Sequence, residues 1–131
     1  MGTFREAVEA GDHTAIEKLL SDDVVFTSPV AFAPYTGKPI TAAILRGVSR
    51  VFENFRYVRE FTGQDGREQA LVFEATVAGL NISGCDFLHF DDDGRIDDLQ
   101  VMVRPLSAAK ALSEAMGEQF DRITAEAAAG A

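Results

Sequence analysis

Tryptophan is absent from these 131 residues, and cysteine occurs once, at Cys85. A single thiol allows no intrachain disulfide and no cysteine-based metal motif, and it suits a reducing compartment. Clusters of Lys or Arg are also missing: 12 basic residues face 21 acidic ones, a formal net charge of −9. Such a balance lacks the electrostatic footprint of a nucleic-acid binder, and an anionic membrane surface would repel it. No apolar run approaches the length of a membrane span. The opening Met-Gly-Thr-Phe-Arg-Glu has no basic stretch leading into an apolar one, so no secretory signal is expected. Acylation at Gly2 would want Ser or Thr where Glu6 stands. The expectation is a soluble, cytoplasmic protein with neither nucleic acid nor membrane as partner.

What remains is an ordinary globular composition, 47% hydrophobic, which argues against disorder. The length suits one domain over 1–131. Ten Phe residues fill space without needing hydrogen-bond partners, which suits either dense packing or an apolar cavity. Thr3 and Glu6 have capping-box spacing, and Gly11 can end the helix they start. Asp12 then caps a second helix through Leu20. Asp23 to Ser28 reads as a strand stopped by Pro29, and 30–38 as a loop. Pro39 opens a third helix in which Ile40, Ile44, Val48, Phe52 and Phe55 recur every three or four residues.

The period then changes to two. Strands are expected over Phe55 to Thr62, Gln69 to Ala78, Leu80 to Phe90 and Ile96 to Arg104, with turns at Gln64-Asp65-Gly66 and Asp91-Asp92-Asp93-Gly94. Pro105 opens a last helix, with Ala109, Leu112, Met116, Phe120 and Ile123 on one side and a frayed tail from Ala125. Consecutive strands joined by short turns form an antiparallel meander. Both faces of Leu71 to Val77 are apolar, so the sheet needs cover on both sides. Helices can supply one cover, and a second copy of the chain is expected to supply the other.

Asp86 shares its strand parity with Leu80, Ile82, Gly84, Leu88 and Phe90, so it points at the core. A carboxylate there has to be paired, hydrogen-bonded or protonated. Desolvation would raise its pKa, as a general base or neutral donor requires, although a structural Asp bonded to nearby backbone has the same pattern. Phe26, Phe52, Phe55, Leu88 and Met102 are expected to line a cavity between the sheet and the third helix, with Ser28 and Tyr57 as polar contacts. Ser28 also suits a hydroxyl cap before the Pro-containing loop, and Tyr57 a core or interface position. His13 follows a helix cap and is expected in solvent. His89, three residues from Asp86, should face the opposite side of a regular strand. No zinc, EF-hand or phosphate-loop pattern occurs, so neither metal nor cofactor is expected.

The order helix, helix, short strand, helix, four strands resembles the nuclear-transport-factor-2-like superfamily. Ala10-Gly11-Asp12, Leu20-Ser21-Asp22-Asp23-Val24-Val25-Phe26, Ser28-Pro29 and Gly37 resemble the start of its SnoaL-like polyketide-cyclase branch. Gly84-Cys85-Asp86-Phe87-Leu88-His89-Phe90-Asp91, Asp93-Gly94-Arg95-Ile96 and Val103-Arg104-Pro105 resemble its second half. The resemblance implies an α+β, cone-shaped half-barrel: N-terminal helices on a curved, mostly antiparallel sheet, a C-terminal helix, a deep pocket for a small molecule and a homodimer through the outer sheet face. It aligns Asp86 with the pocket acid of the ketosteroid isomerases that hydrogen-bonds the substrate oxygen. Ser28 stands where those enzymes carry their proton-transferring base, and Phe4 where they carry a phenolic donor. Steroid isomerisation by that mechanism is therefore not expected. The readings left are isomerase or cyclase chemistry through Asp86, non-catalytic binding of a small apolar or aromatic, polyketide-like ligand, or a dimerisation module with a vestigial pocket.

Overall fold

The structure is a computed structural model that describes residues 3–130; Met1, Gly2, whose acylation the sequence argued against, and Ala131 lie outside the described residues. The chain begins with α1 (Phe4–Ala10), where Thr3 and Glu6 close the capping box and Gly11 ends the helix at φ +66°. Asp12 accepts from Ala15 N and starts α2 (His13–Leu19). Then come β1 (Leu20–Thr27), β2 (Tyr35–Thr36), α3 (Lys38–Val51), β3 (Glu53–Thr62), β4 (Glu68–Val77), β5 (Leu80–Phe90), β6 (Ile96–Arg104) and α4 (Leu106–Gly130).

One curved, unclosed sheet has the order β2-β1-β6-β5-β4-β3. All pairings are antiparallel except β1 with β6. Ala78 and Gly79, both at positive φ, form the tight link between β4 and β5 and fix a ten-pair register from Glu68↔His89 to Val77↔Leu80. That register puts Leu71, Phe73, Ala75, Ile82, Asp86 and Leu88 on the inner face, all buried. At the other turn, Asp91 accepts from the backbone N–H groups of Asp93 and Arg95, as a hairpin tip requires.

The α+β architecture and mostly antiparallel sheet are as expected, while several boundaries differ. β1 starts at Leu20, where helix was expected; Leu20 already pairs with Ile96, and Ser21 donates its hydroxyl to Asp23. The segment read as loop contains β2, which pairs Tyr35 with Phe26. The third helix stops at Val51, and Phe52 is already extended at φ −74°, ψ 137°, so Phe55 belongs to a strand and not to the helical face. The C-terminal segment does not fray at Ala125 but stays helical to Gly130, with Ile123 fully buried and Ala127 against the core. Phe120, expected on the buried side of that helix, is largely exposed, although it rests on Tyr35.

Two glycines allow close approach. Any Cβ at Gly47 would sit 2.6 Å from Ile123 Cδ1, so α3 and α4 touch through hydrogen there. A Cβ at Gly84 would strike the Phe73 ring and come within 2.7 Å of Met102 O. Phe73 lies opposite Gly84 and uses that space to reach the cavity wall. Gly84→Ala should therefore lower stability by about 1–3 kcal/mol, the usual cost of overpacking, read as a drop in urea midpoint at unchanged slope. An unchanged midpoint would show that the Phe73 ring can move aside freely.

Candidate functional site

The sheet curls around its inner face and the helices close over it, leaving a cavity of about 400 Å³. Its sheet wall carries Phe26, Phe55, Tyr57, Phe73, Asp86, Val101 and Val103; its helical wall carries Phe4, Val8, His13, Ile16, Ile44, Val48, Ser49, Leu112 and Met116. Phe52, Ser28, Pro29 and Val30 line it too, as do Glu9, Ala10, Gly11 and Leu45. A volume of several hundred Å³ with mostly apolar walls and few polar groups is the usual form of a small-molecule site. Phe52, Phe55 and Phe73 are mutually packed, with centroids 5.0–5.8 Å apart, and Tyr57 meets Phe55 edge-on at 5.0 Å.

Asp86 is the polar centre of the sheet wall. It is 8% exposed, and Tyr57, 6% exposed, donates its hydroxyl to Asp86 Oδ2 at 2.7 Å. Tyr57 is held in turn by Arg5, whose guanidinium lies over the ring at 5.9 Å and bonds Glu9 and Glu60. Burial pushes the Asp86 carboxyl up to about 6, against the opposing pull of the Tyr57 hydrogen bond. Burial and the adjacent carboxylate also push the Tyr57 phenol upward, so it stays a donor. Near neutral pH the pair thus holds an acid that can exist in either protonation state, with Tyr57 as its single side-chain hydrogen-bond partner among the described residues.

Of the residues expected at the site, Asp86, Phe26, Ser28, Phe52, Phe55 and Tyr57 meet on the cavity wall. Met102 does not. It pairs with Cys85, whose side chain points away from Asp86, and is 53% exposed on the outer face; its neighbours Val101 and Val103 line the cavity instead. Leu88 has the inward parity expected but lies one layer beyond Asp86, packed into the core instead of the wall. Ser28 Oγ accepts from Val30 N at 3.2 Å, so it caps its loop while facing the cavity. His89 faces away from Asp86 and bonds Asp97 at 2.6 Å.

His13 was expected in solvent, yet it lines the cavity. Its Nε2 lies 3.2 Å from Ser49 Oγ on α3, and its Nδ1 is buried without a partner. Burial and the nearby Arg46 and Arg50 lower its pKa below the ordinary histidine value, which favours the neutral ring. Its place as the first residue of α2 gave no sign of this, because the helix-to-helix contact that buries it is tertiary. Among the described residues no three His, Cys, Asp or Glu side chains are grouped to hold a metal ion, and no helix is long and apolar enough to cross a membrane.

Helices over a cupped, unclosed sheet are a fold shared with a nuclear-transport-factor-2-like protein of unknown function from Cytophaga hutchinsonii, which superposes at TM-score 0.60 with 21% identity, over 78% of this chain and 84% of that one. The model of the SnoaL-like domain matches residues 2–99, and the chain belongs to that family. It is similar to a protein named a steroid delta-isomerase from Pseudomonas aeruginosa, with 43% identity over 91% of this chain and 87% of that one and a TM-score of 0.85. It is also similar to an uncharacterised bacterial protein with a cystatin-like fold from Silicibacter pomeroyi, with 35% identity over 88% and 81% and a TM-score of 0.83. No curated protein matches the chain.

The carboxyl of Asp86 predicts a specific pH signature. Because its folded pKa is raised from the ordinary 3.8 to about 6, its favourable contribution is fully present below the lower value. It is lost as pH rises through about 6. Asp86→Asn keeps the shape and an acceptor for Tyr57 while removing the charge. The stability of the variant relative to wild type should rise by about 2–3 kcal/mol between pH 3.5 and pH 8, following the linkage of pKa to folding. A difference independent of pH, measured by urea unfolding across that range, would show that Asp86 is not destabilised as a carboxylate.

Proposed function

We propose that this chain binds a small apolar or aromatic, polyketide-like molecule in the cavity and acts on it by isomerase- or cyclase-type acid–base chemistry at Asp86. The observation that carries this reading is a buried carboxyl, raised to about 6 and with one side-chain partner, on the wall of a 400 Å³ apolar cavity. Protonated, Asp86 can donate to a ligand carbonyl as negative charge develops on it. Ionised, it can take a proton from carbon. Tyr57 fixes the carboxyl and raises the cost of any other orientation.

Proton transfer by one positioned group supplies roughly 10²- to 10⁴-fold. The substrate must therefore have a C–H bond already acidified, as between two carbonyls. The named activity of the Pseudomonas aeruginosa protein is not carried over in full, because Ser28 and Phe4 occupy the positions of base and phenol in the ketosteroid isomerases. A second reading, a non-catalytic binder, draws support from the same observation: Ser28 is not basic, and its oxygen is engaged by Val30 N.

Benzoylacetone, an apolar aromatic 1,3-diketone, separates these readings. Its binding is followed by calorimetry, and its ketone-to-enol conversion by ultraviolet absorbance at pH 5. Wild type should accelerate conversion by roughly 10²-fold or more, and Asp86→Asn should bind without accelerating. Binding with no acceleration by wild type favours the second reading. Absence of binding by wild type sinks both.

We also propose a homodimer through the outer sheet face. Phe61, Phe87 and Met102 are exposed there beside Val72 and Cys85, joined across neighbouring strands through Ala70↔Phe87 and Cys85↔Met102. An apolar surface on the open side of a sheet is relieved most simply by an identical surface. Sedimentation at micromolar concentration should give about twice 14.2 kDa, and Phe87→Glu with Met102→Glu should give the monomer. A wild-type monomer at that concentration contradicts this.

A further inference from the structure

Tyr57 is on β3, the edge strand of the sheet, so it has a strand neighbour on one side only. Its hydroxyl must still reach diagonally across β4 to Asp86 on β5, at 2.7 Å. Another staggered rotamer of Tyr57 would carry the hydroxyl away from the carboxyl. Phe55 meets the ring edge-on at 5.0 Å, and the Arg5 guanidinium lies 5.9 Å from the ring centroid, within the range of a cation–π contact. Arg5 is not on the cavity wall. It projects from α1 and is itself held twice: Nε donates to Glu9 Oε2 at 3.3 Å, and Nη1 donates to Glu60 Oε1 at 3.1 Å. Glu60 reaches Arg5 because of an irregularity in β3. Tyr57 and Glu60 are three residues apart and would face opposite ways in a regular strand. The register shifts between Tyr57 and Arg59, so that Tyr57 pairs with Phe73 and Glu60 with Leu71, two buried residues of the inner face. The bulge turns Glu60 to the same face as Tyr57, where one guanidinium meets both.

We propose that Arg5 is a positioning residue for the acid: fixed between Glu9 and Glu60, its guanidinium holds the Tyr57 ring in the orientation that carries the hydroxyl to Asp86. The inference rests on the reading of Asp86 as the group that moves the proton. An exposed ion pair by itself contributes little to stability. What sets this one apart is its place over the ring that bonds the acid. The Asp86 carboxyl answers to burial and to the Tyr57 hydroxyl, whereas Arg5 bears on the phenol. The acid's strength therefore depends on a contact between α1 and β3 that lies outside the cavity. Without that contact the ring is freed and its hydrogen bond weakens. The carboxylate then loses support for its charged form, and its pKa rises.

The test follows the Asp86 carboxyl by carbon-13 NMR across pH in four proteins: wild type, Arg5→Met, Tyr57→Phe and the double variant. Arg5→Met keeps an unbranched stem and removes the charge. It should raise the Asp86 midpoint by about half a unit or more, the scale of a lost cation–π contact at an exposed site. Tyr57→Phe should raise the midpoint further. Adding Arg5→Met to Tyr57→Phe should then change nothing, because the cation acts through the phenol. A wild-type midpoint near 6 that Arg5→Met leaves unmoved would overturn the role of Arg5 while leaving the reading of the cavity intact. An undiminished rise when Arg5→Met is added to Tyr57→Phe would also overturn it, since the guanidinium would then act on the carboxyl directly. A wild-type midpoint at or below the ordinary 3.8 would remove both.

Discussion

The constraint on which the site depends is the burial of one carboxyl, Asp86, in a wall otherwise made of aromatic and aliphatic side chains. A carboxylate on the inner face of a β-sheet is unfavourable unless it is bonded, and here one phenolic hydroxyl at 2.7 Å is the bond. That single hydrogen bond does not offset desolvation, so the carboxyl is held in a weakly acidic state. The surroundings are arranged to keep it so. Gly84 gives Phe73 room to reach the wall, Arg5 lies over the Tyr57 ring from α1, and the Ala78-Gly79 turn fixes the register that brings Asp86 opposite Leu71.

The two apolar surfaces of the sheet divide the labour. The inner surface is covered by α1 to α4 but not filled, because α3 and α4 lock to each other through Gly47 and Ile123 and through the Arg46, Arg50 and Glu126 ion pairs. Those contacts stabilise the lid over the cavity without requiring the cavity itself to be packed. The outer surface remains open to solvent at Phe61, Phe87 and Met102. The sheet thus has one cupped apolar face that encloses the cavity and one open apolar face, and the few polar side chains of the cavity lie on the cupped side.

Much of the fold was legible in the sequence because local signals agreed. The bounds of β5 and β6 were readable from a period of two interrupted by the acidic turn at 91–94, and α1 from Thr3, Glu6 and Gly11. Asp86 was readable as an inward carboxyl from parity alone. Met102 was placed wrongly: it shares the parity of Asp98 and Gln100, and its pairing with Cys85 puts it on the face opposite Asp86. Phe55 looked helical because it continued the spacing of Phe52, whereas the helix has already ended at Val51 and Phe52 itself is extended. β2 is two residues long and was invisible between Pro34 and Gly37. His13 was missed because a histidine at a helix start is usually in water, and its burial comes from Ser49 on a helix 36 residues away. The Tyr57 partner of Asp86 was named as a candidate, but Tyr57 pairs with Phe73 while Asp86 pairs with Leu71, so the 2.7 Å contact reaches diagonally across β4 and could not be counted out in advance.

The claim beneath all of this is that Asp86 titrates near neutrality inside a cavity. Carbon-13 NMR of the aspartate side-chain carboxyls, assigned by comparison with Asp86→Asn, measures that directly across pH 3 to 9. The account predicts one carboxyl resonance with a midpoint near 6, absent from the variant. A midpoint for Asp86 at or below the ordinary 3.8 would mean that unseen stabilisation of the charge outweighs its burial, and would contradict the account.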